Sequence, residues 1–161
     1  MAVTTDIAAM YRRPRPVVAR LLDMGPREDR ALVFLMLFCA LGFVAQLPRL
    51  SREAYLQEQE LNMLMGGALL GWVFLAPLMF YGIAALSHLV AKIFGGKGQW
   101  YGARIALFWA LLASAPLMLL HGLVAGFIGP GAAQTLVGVL WLAVLGWFWF
   151  TGLRLAERSV T

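Results

Sequence analysis

The chain has 161 residues, 61% of them apolar and only 13% charged, with a mean hydropathy of +0.78. Soluble domains carry about 25% charged residues, so an ordinary soluble domain is excluded and a single membrane domain is expected. The net charge of +5 is not gathered into a basic helix or a basic–aromatic groove, and nucleic acid is not an expected partner.

Residues 1–30 hold four acidic and six basic side chains before the first apolar run begins at Ala31, which does not fit a cleaved signal peptide. Thr5 or Asp6 predicts a cap for a short helix through Tyr11, closed by Pro14 and Pro16. A second helix from Pro16 puts Val17, Val18, Leu21 and Leu22 on one face. It is expected to lie on the membrane as an interfacial amphipathic helix, with Arg12, Arg13, Arg15 and Arg20 turned to anionic head groups.

Residues 31–47 form the first expected span, ended by Pro48. Residues 49–60 are polar and read as a loop or surface helix outside the lipid. From Leu61 to Ala91 nothing carries a formal charge; this second span would measure roughly 46 Å as a helix, against about 30 Å of hydrocarbon. A single span kinked at Pro77 is expected rather than two half-helices, because no polar side chain near Pro77 would satisfy an unwound backbone. Gly95, Gly96, Lys97 and Gly98 then make a hinge closed by Trp100. The third span covers 105–128, bent near Pro116, and the fourth covers 132–153 after a Gly129-Pro130-Gly131 turn. The reading is an all-α integral membrane protein: a leader (1–30), a four-span membrane domain (31–155) and a tail (156–161).

With four spans, the leader, hinge and tail share one side and hold eleven of the thirteen Lys and Arg residues, leaving Arg49 and Arg52 on the other. The positive-inside rule therefore puts both termini and the hinge in the cytoplasm. Trp100, Tyr101 and the Trp147–Phe150 run read as an aromatic belt at that face. Eleven of the basic residues are arginine, and with heavy Ala, Gly and Leu usage this points to a GC-rich bacterial genome and so to an inner membrane.

No span holds Asp, Glu, Lys or Arg in its interior, as a proton or ion relay would require. His88 and His121 fall at different depths, so they cannot share one metal, and each reads as a polar residue at an interface or hydrogen-bonded between helices. The lone Cys39 lies in an apolar run. No catalytic, cofactor or metal site is expected. Helix packing is expected at Gly67 and Gly71, at Ala106, Ala110 and Ser114, and at Gly122 and Gly126, where small residues four apart let backbones approach.

The run Leu86-Ser87-His88-Leu89-Val90-Ala91-Lys92-Ile93-Phe94, the following Gly95-Gly96-Lys97-Gly98, the aromatic step Gln99-Trp100-Tyr101 and a next helix broken at Ala115-Pro116 together resemble the Ypt-interacting-protein (Yip) membrane family. The resemblance covers about residues 17–155 and implies a polytopic membrane protein with a cytoplasmic N-terminus and no catalytic residues. The chain departs from that family in reading as four spans rather than five, and in lacking its long leader and Gly-Pro-Leu type motif. The expected function is non-enzymatic: contact with membrane lipids and with other integral membrane proteins or itself, as an accessory or assembly subunit. A small carrier or channel for a neutral or apolar solute is the alternative.

Overall fold

A computed structural model describes residues 3–158, and all of its regular structure is helical. The elements are α1 (Val3–Met10), α2 (Pro14–Asp23), α3 (Glu28–Gln57), α4 (Leu61–Leu70), a π-helical turn (Gly71–Leu75), α5 (Ala76–Ile93), α6 (Trp100–Ala113), α7 (Ala115–Phe127) and α8 (Ala132–Arg158). Three helical runs are long and apolar enough to cross a membrane: Glu28–Gln57, Leu61–Ile93 and Ala132–Arg158. The α6–α7 pair, bent by 46°, makes a fourth if it counts as one span.

Pro48 does not end the first apolar helix as expected. α3 passes through it and continues to Gln57, so the polar stretch 49–60 is mostly an extension of the same helix. Arg49 pairs with Glu53 one turn on and with Gln46 one turn back, giving the extension local support. The proline ring also has a place to go, against Gly126 of α7. One lost backbone hydrogen bond is offset by packing and side-chain contacts.

The run 61–93 stays continuous, and its irregularity precedes Pro77. The amide of Ala76 reaches back five residues to the Gly71 carbonyl, which defines a π-helical turn just before the proline. That turn aims Trp72 into α3, where its indole occupies the space a side chain at residue 42 would need. Gly42 is small for that reason.

α6 forms the centre. Every residue from Tyr101 to Ala115 is buried except Arg104. α3 runs alongside it in the same direction: Phe34 meets Trp109, Ala45 meets Gly122, and Pro48 meets Gly126, so one straight helix passes both halves of the bent pair. α5 runs the other way, pairing Phe80 with Phe38, Tyr81 with Phe108 and His88 with Trp100. α8 is also antiparallel, with Gly138 against His121, Trp141 against Ser114, and Gly152 against Ala106.

The leader does not present an uncovered apolar face. α1 folds back on α2, Asp6 pairs with Arg20, and α2 starts two residues earlier than expected, at Pro14. Val17, Val18 and Leu21 are buried, with Val18 against Gly152 of α8, so protein covers the face that the sequence assigned to lipid. The turn between the two helices reaches the α6–α7 bend, where Tyr11 bonds to Ala113.

Candidate functional site: hinge junction, helix bend and open faces

The hinge is built by a helix-stop motif. Gly95 has φ +88°, which a glycine adopts without a Cβ clash, and its amide donates to the Lys92 carbonyl at 3.0 Å while Gly96 donates to Ala91 at 2.8 Å. These two bonds close α5 and turn the chain onto the last turn of α8. There Glu157 gathers the junction. Its backbone carbonyl accepts from the Lys97 amide at 3.1 Å, one carboxylate oxygen accepts from the Gly98 amide at 3.0 Å, and the other lies 2.8 Å from His88 Nδ1. The His88 ring lies tilted against Trp100, their centres 4.4 Å apart, and Lys92 lies over the same indole at 5.7 Å. Gly98 sits so close to the Ala156 backbone that no side chain fits.

The sequence places Glu157 in a tail, yet its side chain is only 9% exposed. A carboxylate near a helix C-terminus opposes the helix dipole, so its position there is a signal that it has a partner elsewhere. His88 has the interhelical hydrogen bond expected of it. His121 lies instead against Gly138. Among the described residues, no three His, Cys, Asp or Glu side chains come together as a metal would require.

At the bend, Pro116 has no amide to give the Leu112 carbonyl, and the Leu117 amide turns to Ser114 at 3.1 Å instead of Ala113. Side chains fill the gap. Ser114 Oγ donates to the Leu111 carbonyl at 2.9 Å and accepts from Trp141 Nε1 at 3.1 Å, while Tyr11 donates its hydroxyl to Ala113 at 2.7 Å. Burial pushes the Tyr11 hydroxyl above its ordinary pKa and keeps it a donor. Ser114 is therefore a polar link between α6 and α8 as well as a small residue.

The packing residues divide into two groups. A Cβ on Gly122 would meet the backbone of Ala45, and one on Gly126 would meet Pro48; Ala106 and Ala110 are buried, Ala106 facing Gly152. These seal α7 to α3 and α6 to α8. A Cβ on Gly67 or Gly71, by contrast, would meet no neighbour within 4 Å, and α4 buries none of its residues. The side-chain positions of these two glycines face open space. Of the four leader arginines expected at head groups, Arg12, Arg13 and Arg15 are exposed, whereas Arg20 is partly covered and paired with Asp6. Comparison with protein-family models, with curated proteins and with solved structures gave no match.

Proposed function

We propose that this chain is a four-span, non-enzymatic bacterial inner-membrane protein of the Yip-like type that works by offering its second span to another membrane helix, as an accessory or assembly subunit. Counting α6 and α7 as one span is supported by the uninterrupted α3, which runs beside both. Both termini and the hinge then face the cytoplasm, in keeping with the eleven-to-two distribution of Lys and Arg. The observation that carries the contact reading is the contrast between faces. Gly122 and Gly126 are filled by a neighbour, while the equally spaced Gly67 and Gly71 lie open on a helix whose apolar stretch is only 11% buried.

The test is size on a native gel after extraction in mild detergent, with Gly71→Leu as the variant. A species larger than the monomer that collapses to monomer in Gly71→Leu supports the reading. A wild-type monomer, or a large species indifferent to the substitution, refutes it. Gly126→Leu serves a different purpose, since it disturbs the fold rather than the open face.

A further inference from the structure

We propose that the groove between α5 and α8 at the hinge end holds one anionic phospholipid, its acyl chain between the helices and its phosphate on Arg15, Arg154 and Arg158. Side chains of α5 and α8 here frame an open furrow of about 870 Å³, walled by Leu86, Val90, Phe94, Trp149, Phe150 and Leu153. That volume lies within the roughly 300–1,000 Å³ of ordinary small-molecule sites. The furrow turns cationic at one end only. Arg154 and Arg158 form its rim, and the same two side chains, with Phe150, line a small cleft that also takes in Arg15 and Thr151.

Among the described residues, none of these three arginines is paired with a carboxylate. Glu157, the acid on the groove wall, already accepts from His88 and the Gly98 amide. Arg154 lies over the Phe150 ring at 5.5 Å, which fixes its head at the rim. Two guanidinium groups on an apolar trough, with that of Arg15 in the adjoining cleft and none of the three paired with a carboxylate among the described residues, match the charge and shape of a phosphate followed by a hydrocarbon chain. A zwitterionic lipid of the same length fits the trough but not the net charge. The inference deepens the lipid contacts of the proposed function and rests on its placement of the hinge end at a head-group layer.

The experiment is native mass spectrometry of the full chain, titrated separately with phosphatidylglycerol and with phosphatidylcholine of equal chain length. Each arginine near an anionic head group is worth about a fivefold change in affinity, so wild type should prefer phosphatidylglycerol at least about fivefold and Arg154→Gln/Arg158→Gln should lose about 25-fold. Gly146→Phe projects a ring into the furrow from a position with no atom in the way, and should lower retention of both lipids while the protein stays folded. Equal retention of the two lipids by wild type overturns the inference, as does wild-type affinity in the double variant or a second protein copy displacing the lipid. Side-specific labelling of Lys97→Cys and Gln59→Cys in membrane vesicles tests separately whether the 61–93 run crosses the membrane and sets the hinge at the opposite face from residue 59. Labelling from the same side would sink that placement, and lipid selectivity in detergent is read independently of it.

Discussion

Replacing Gly122 by alanine should open the seam between α3 and α7. The added Cβ would lie 2.9 Å from the Ala45 carbonyl carbon and 3.1 Å from its Cα, where ordinary contacts run from 3.4 to 4 Å. The obstruction is backbone, so no side chain can swing aside and the helices must separate by roughly 1 Å. A gap of about that size forfeits a quarter to a half of the dispersion attraction between the atoms involved. Overpacking of this kind costs about 1–3 kcal/mol. Gly82→Ala is the control, because nothing lies within 4 Å of its Cβ position and alanine is a better helix former by about 1 kcal/mol. Thermal melts followed by circular dichroism in mild detergent, with a denaturing-detergent titration, should show Gly122→Ala clearly destabilised and Gly82→Ala at or above wild type. Equal melting for Gly122→Ala and wild type, or equal loss in both variants, would refute the close-approach argument.

Glu157→Ala should leave His88 and the Gly98 amide without their acceptor, costing about 1–3 kcal/mol, and hydrogen exchange should speed up at residues 96–100. Protection unchanged from wild type would mean that the junction is held by something else. Tyr11→Phe keeps the edge-on ring contact with Phe148 but loses the bond to Ala113; a cost of about 0.5–1.5 kcal/mol and earlier proteolysis within residues 3–23 are expected. Cys39 is fully buried, so a maleimide should leave it unmodified until the protein is denatured, and rapid labelling of the native protein would contradict its packing.

The long uncharged runs made the apolar helices legible, because a span's composition is local information. Helix ends were less legible where a tertiary contact decided them. Pro48 looked like a stop, but its ring fits Gly126, seventy-eight positions away, and nothing near Pro48 announces that. Gly122 and Gly71 carry the same small-residue spacing, yet the Cβ position of one runs into a neighbouring backbone and that of the other is open. Spacing records what a helix face permits, while register between helices decides what arrives there. The leader's apolar stripe was readable, but whether lipid or α8 would cover it depended on the position of Gly152 and on a free carbonyl at Ala113. His88 was visible as a hydrogen-bonding residue; its partner was hidden in a segment whose charge made it look like solvent-exposed tail.

The leader's docking also couples distant parts of the chain. Its contacts include Arg30 at the start of α3, Ala113 on α6, and Phe148 and Gly152 on α8, so the cover over α1 and α2 is complete only when α8 lies beside α6. Val17, Val18 and Leu21 are therefore buried by parts of the chain far apart in sequence, and loosening α8 would uncover Val18 along with Gly152, so the leader and the last apolar helix hold or release together.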